Sequence, residues 1–400
     1  MRFLGRFARY IDVIFIGFAV GITFYCSTEL PWSDDWDIVP TIQMMRTGTL
    51  DWKTLDASYG GHKEPVSRLV LAGTAVVTHW NTYVFRIINL FLFISIWMAI
   101  RPFAVREGRL LATALIFWSW NQAIMWCFTA QMSETLAIFC VIWSLRALQD
   151  QRWRSFGWAM MLAVAGTYCH GAGLGVWPAA FYLMFFRERR PAQRVIFAAI
   201  LLATAYLYVF HDRGPGQGDE LVLGHHYLQM PLYLLLALGA PLGFATYGIA
   251  AIATLGGLAM LLISKFSKKM KDEPFIKAVF LAGLTMIGLV VVVRGGSGSV
   301  VEGMHGRFGT CAALFWVGIV LLADWSGWKQ YILAGLLALC VIRNVTRIPS
   351  LVSIRSQWKA EAYNLVNDGP VLKGDWTTPE QFAEDLKLMR QWHYSVFRNR

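Results

Sequence analysis

Apolar runs of about 15–22 residues recur between residues 11 and 341, separated by short polar breaks. A helix of that length crosses the roughly 30 Å hydrocarbon layer of a bilayer. The strict alternation of a membrane β-strand is absent, and helices and closed barrels are the only structures that satisfy their own backbone groups in lipid. The pattern therefore predicts an all-α integral membrane protein of about eleven transmembrane helices, within a range of about 10–13. Two apolar segments, 66–80 and 231–241, are short. Letting them cross would place basic clusters on the wrong side, so they are expected as interfacial or partly re-entrant helices in the outer loops.

The polar breaks give the topology. Arg2, Arg6 and Arg9 come first, followed by "RPFAVREGR" (101–109), "RALQDQRWR" (146–154), "RERRPAQR" (187–194) and "KFSKKMKDEPFIK" (265–277). By the positive-inside rule these face the cytoplasm, with the N-terminus. The first apolar run has no small-residue cleavage site and reads as a retained helix. Residues 1–345 are expected as one polytopic domain whose first outer loop is 29–65. Residues 346–400 form a short outer-face tail in which Thr378, Pro379 and Glu380 open an amphipathic helix.

Composition agrees with this picture. Of 400 residues 56% are hydrophobic and 15% charged, with mean hydropathy +0.47, more apolar surface than one water-exposed domain is expected to hide. The net charge of +11 lies in the short loops that fix topology, so no nucleic-acid partner is expected. The six cysteines lack C-x-x-C spacing and are read as packing residues. On the predicted topology all eight histidines fall at the outer face. Asp34, Asp35, Asp37, Glu64, Asp212, Asp219, Glu220 and Glu302 join them there.

Three stretches could carry chemistry. In "ELPWSDDWDIVP" (29–40) the aspartates lie where the chain leaves an apolar run. Neighbouring carboxylates raise one another's pKa, which can make one of them, Asp34 or Asp35, a general base. Asp35 and Asp37, two residues apart, are also a pair able to share a hard cation with phosphate oxygens. No cofactor is fixed by the pattern, though Mg²⁺ or Mn²⁺ is compatible with it. In "YGGHKEPVSRL" (59–69), His62, Lys63, Glu64 and Arg68 precede an apolar helix, and the Arg68 guanidinium suits phosphate. In "RGGSGSVVEGMHGRFGT" (294–310), a Gly/Ser-rich backbone with Arg294, Glu302, His305 and Arg307 could surround an anion. Gln131 lies in an aromatic-rich stretch that suits carbohydrate and equally an interfacial aromatic belt. His170, in "YCHGAGLGVWP", reads as a helix cap rather than a ligand. No Walker, G-x-S-x-G or H-E-x-x-H motif is present.

The order of "SDDWD", "GGHKEPVSRL", "FTAQMSETLAIF", "CHGAGLGVWPAAF" and "HGRFGTCAALFWVGIVLLA" resembles bacterial polytopic glycosyltransferases of the GT-C superfamily. The resemblance implies residence in the bacterial cytoplasmic (inner) membrane and transfer of a sugar at its outer face. The sugar would pass from a polyprenyl-phosphate-linked donor to an envelope glycan or glycolipid acceptor, with membrane lipids as surroundings. It further implies that Asp34 or Asp35 deprotonates the acceptor in an inverting displacement, while Arg294 or Arg307 stabilises the departing phosphate. The competing reading is a transporter or flippase of lipid-linked saccharides. It is disfavoured because ionisable groups collect at helix ends and no internal repeat is visible.

Overall fold

The computed structural model describes residues 2–27, 29, 31, 33–56, 63–106, 108–210, 229–242, 254–258, 273–294, 309–367 and 379–397. Among them there is no β-strand. The chain opens with α1 (Arg2–Tyr25) and a 3-10 turn at Ser33–Ile38, then α2 (Val39–Thr47), α3 (Trp52–Asp56), α4 (Pro65–Thr78) and α5 (Thr82–Arg106). There follow α6 (Leu110–Phe117), α7 (Ala123–Cys127), α8 (Met132–Ala147), α9 (Trp153–Thr167), α10 (Val176–Phe185) and α11 (Pro191–Phe210). The series ends with α12 (Met230–Gly239), α13 (Pro274–Arg294), α14 (Gly309–Leu322), α15 (Lys329–Val366) and α16 (Pro379–Gln391).

The main core forms around α14, all of whose residues are buried. A helix that is apolar on every side has no face to offer water and must be surrounded. Helices α13, α6 and α12 supply the walls. Two glycines let α13 and α14 approach closely: a Cβ on Gly283 would stand 2.6 Å from the backbone N of Phe315, and one on Gly318 would stand 2.5 Å from Cβ of Phe280. Polar groups fix both ends of α14. Thr310 Oγ1 donates to Gln122 Oε1 (2.8 Å), and Cys311 Sγ to Glu134 Oε1 (3.4 Å). At the other end Arg109 Nη1 donates to the carbonyls of Val320 and Leu321, meeting acceptors that a helix C-terminus leaves open.

This arrangement corrects the expectation of about eleven spans. Among the described residues four helices are long and apolar enough to cross a membrane: Thr82–Arg106, Pro191–Val209, Pro274–Val292 and Lys329–Leu365. The other apolar runs fold as shorter pieces. The run after Leu110 is cut by a turn at Trp118–Gln122 into α6 and α7, of 8 and 5 residues. At 1.5 Å per residue α6 spans about 12 Å, far below a hydrocarbon thickness. Helix α14 has 14 residues; its apolar surface goes into helix packing. Hydropathy reports that a run avoids water and does not report what covers it. The multi-pass inner-membrane topology drawn from that count, with its cytoplasmic N-terminus and outer-face site, is withdrawn with it. The 231–241 segment packs against α13 and α14, where Trp316 Nε1 donates to the Leu238 carbonyl (2.6 Å).

A second core joins the beginning and end of the chain. Trp36, from the first 3-10 turn, lies edge-on to Trp80 and to Phe382 of α16, with ring centroids 6.4 and 4.9 Å apart. Val39, Ile42, Leu71, Leu365, Met389 and Tyr394 complete the cluster. Arg46 donates to the Tyr394 hydroxyl (2.8 Å) and covers the Trp392 ring. The end of α7 and the loop that follows it, 125–130, are held from α5 by two buried polar side chains. Arg86 Nε donates to the Cys127 carbonyl (2.8 Å), and Asn89 Nδ2 to the carbonyls of Met125 (3.3 Å) and Phe128 (3.1 Å).

Two predictions follow from this packing. Gly283→Ala should destabilise the protein by about 1–3 kcal/mol, because the added methyl meets backbone rather than a flexible side chain. A Cβ on Gly288 of the same helix meets nothing within 4 Å, so Gly288→Ala should be neutral or stabilising by up to about 1 kcal/mol. Denaturant unfolding of both variants checks the contrast, and equal stabilities would refute the close-approach account. Arg86→Met leaves the Cys127 carbonyl without that donor and should cost about 1–3 kcal/mol. Hydrogen exchange of the 125–130 amides should accelerate in that variant.

Candidate functional site

The start of α4 is joined residue by residue to the turn after α9. Val66 N donates to the Tyr168 carbonyl (3.0 Å), and Ser67 Oγ to the Cys169 carbonyl (2.7 Å). His170 Nε2 lies 3.8 Å from Glu64 Oε1. Pro65 at the first helical position needs no N–H partner and presets the helical φ, so the helix begins immediately after Glu64. The turn itself is tight: a Cβ on Gly173 would collide with the carbonyl of Gly166 at 1.9 Å, so only glycine fits.

His170 does cap this turn, since its Nδ1 accepts from the Ala172 N–H (3.2 Å). That bond fixes the tautomer: with Nδ1 accepting, the neutral ring carries its proton on Nε2, the atom that faces Glu64. Glu64 is buried. One turn along α4, the half-buried Arg68 interacts electrostatically with Glu64 and Asp37. Burial lowers its pKa, and the two carboxylates act in the opposite direction. On the other side of Glu64, Lys63 Nζ is held by Asp56 Oδ2 (3.2 Å) and the Leu207 carbonyl (3.3 Å), with Lys63 and Asp56 both buried. Burial, with the Asp56 charge second, raises the Tyr168 hydroxyl pKa.

The sequence-predicted residues divide accordingly. Lys63, Glu64 and Arg68 lie together, and Asp37 comes within electrostatic reach of Arg68. Asp35 is buried and accepts from the Ala130 N–H (2.5 Å), which ties the first 3-10 turn to the loop before α8. Gln131 ends that loop, and its carbonyl accepts from Thr135. Asp34 lies in the 3-10 turn and Arg294 ends α13, but their side chains fall outside the described set. His62, Glu302, His305 and Arg307 lie outside the described residues altogether. Among the described residues no group of three or more His, Cys, Asp or Glu is arranged to hold a metal ion.

Sequence reasoning gave His170 a capping role only and missed its approach to Glu64, which lies 106 residues away in the chain. It also missed Arg86 and Asn89, whose signal was available: an arginine and an asparagine three apart inside the apolar "RIINLFLF" run, a spacing that puts both on one helix face.

The arrangement provides a buried carboxylate, a donor aimed at it from a fixed tautomer, and a guanidinium one turn away. Such a set can bind an anionic group and move a proton beside it. No family model, curated protein or solved structure matches the chain. With that result and the four membrane-length helices, the GT-C resemblance is withdrawn. The polyprenyl-phosphate-dependent glycosyltransferase and flippase readings go with it, because both require the many-span architecture that the described helices do not form.

Proposed function

We propose that the chain is an acid–base catalyst acting on a small anionic substrate that carries an exchangeable proton, with its centre at Glu64, His170 and Arg68. The observation that carries this reading is the approach of His170 Nε2 to Glu64 Oε1 at 3.8 Å, inside a wall that buries Glu64. This distance exceeds a direct hydrogen bond, and catalytic contacts commonly tighten only when substrate is bound.

In this reading Glu64 accepts the proton, being the carboxylate that faces His170 Nε2 and lies within electrostatic reach of Arg68. His170 Nε2–H orients the carboxylate and is itself held by its cap bond to Ala172. Arg68 binds the anionic group of the substrate, carboxylate or phosphate, through its planar fork of donors. The Lys63–Asp56 pair and the Val66 and Ser67 bonds keep α4 in place while the proton moves.

Turnover of a panel of phosphate monoesters, phosphodiesters, carboxylate esters and hydroxy acids tests the proposal. One class should be consumed, and Glu64→Gln should lower its turnover about 10²–10⁴-fold while the unfolding temperature stays close to wild type. Arg68→Gln should raise KM more than it lowers kcat. If Glu64→Gln keeps wild-type turnover, or if no class is consumed, the Glu64–His170 contact is a brace between α4 and the 168–170 turn and the catalytic reading fails.

A further inference from the structure

The cysteines carry no motif spacing along the chain, yet the fold brings Cys26 and Cys127 into contact from distant segments. Cys26 directly follows α1, Cys127 closes α7, and the two helices pack against each other. Both are buried free thiols, in a small apolar cluster with Phe128 and Trp358. The Cys127 S–H donates to the Cys26 sulfur. Both sides of this contact are fixed by backbone bonds. The Cys127 carbonyl accepts from Arg86 Nε (2.8 Å), and Cys26 N donates to the Ile22 carbonyl (2.9 Å).

The surroundings distinguish the two sulfurs. The Cys127 S–H lowers the Cys26 pKa; burial opposes this, and the Arg355 and Arg86 charges assist it. Cys127 stays a thiol, because its bond to Cys26 and its burial both raise its pKa. Arg355 is placed by stacking on Tyr25, 4.1 Å from the ring centre, while Asp35 and Tyr83 act on Arg86. A thiolate beside a protonated thiol is the arrangement in which one sulfur attacks and the other resolves. A second pair, Cys140 and Cys169, also shares a hydrogen bond, but there the Glu64 carboxylate acts on Cys169 and opposes a thiolate. Ile22 and Leu351 pack on the Cys26 cluster and also line an open groove between α1 and α15. One layer of side chains therefore separates the pair from a water-sized oxidant.

We propose that Cys26 and Cys127 form a reversible oxidation site for hydrogen peroxide, joined as a disulfide in which Cys26 attacks and Cys127 resolves. The Cys26 thiolate takes one peroxide oxygen as the O–O bond breaks, and the departing hydroxide takes up the proton that Cys26 released. The Cys127 sulfur then attacks the resulting sulfenic acid. An S–S bond forms as the S–O bond breaks, and the Cys127 proton leaves with the hydroxide as water. Two thiols lose two electrons, and one peroxide becomes two waters. A dithiol reductant reverses the bond by exchange.

Peptide mapping of the reduced full chain after brief exposure to peroxide, with unfolding and alkylation in the absence of reductant, tests this. Wild type should yield a Cys26–Cys127 linked peptide that dithiothreitol separates, while Cys311 and Cys340 remain alkylated. In Cys127→Ser the reaction should stop at a Cys26 sulfenic acid trapped by dimedone, and in Cys26→Ser the Cys127 thiol should stay reduced. Because thiolate is the attacking form, the wild-type rate should rise with pH and reach half its maximum below about 8.5, the ordinary thiol value. Arg355→Gln should move that midpoint upward. Cys26 and Cys127 both alkylated after peroxide, or a Cys140–Cys169 link that forms first, overturns the proposal. Oxidation of Cys127 that persists in Cys26→Ser overturns the assignment of roles. These readouts are covalent linkage and thiol reactivity, so they stand apart from the turnover that tests Glu64.

Discussion

The rest of the structure depends on the complete burial of α14. An all-apolar helix can be stable only where other helices cover its whole circumference, and this requirement places α13, α12 and α6 around it. Close coverage needs small residues at the crossings, which explains why Gly283 and Gly318 sit where a methyl group would strike backbone or the Phe280 side chain. It also explains why the polar atoms at the ends of α14 are met by Gln122, Glu134 and Arg109. A buried helix end has no water to satisfy it, and each orphaned group would cost about 1–3 kcal/mol.

The same constraint accounts for the buried polar side chains of α5. Arg86 and Asn89 lie in the apolar first half of α5 because the last residues of α7 and the Phe128 carbonyl beyond it present acceptors that the helix end leaves open inside the protein. Irregular backbone can be buried only if side chains supply the missing partners. Asp35 performs the reciprocal task, accepting the Ala130 N–H of the same loop. An acid that the composition of its loop suggests for chemistry thus also has a structural contact, and the first 3-10 turn, the loop and α5 form one connected polar network.

The candidate centre is built on this frame. Glu64, His170 and Arg68 come from two segments that the α4 start and the 168–170 turn hold together through backbone and hydroxyl bonds. Such bonds define geometry more tightly than side-chain contacts alone.

Local features were legible in the residues. Pro65 marks the start of α4, Pro379 opens α16 with Glu380 in its first turn, and His170 caps the Gly171–Gly175 turn. These depend on φ preferences and hydrogen bonds within a few residues, which sequence specifies directly. The helical character of the described residues was equally legible from the apolar runs. The number of membrane-length helices was not, because hydropathy cannot distinguish a run covered by other helices from one that crosses a bilayer, as α14 and the split α6–α7 run demonstrate. Nor could spacing bring Glu64 to His170, Trp36 to Phe382, or Tyr25 to Arg355 across 330 residues. The sequence by itself determined which segments are helical and where several begin, since those choices are local. Only the tertiary structure decided which apolar faces are buried and which charges meet, because both depend on contacts between segments far apart in the chain.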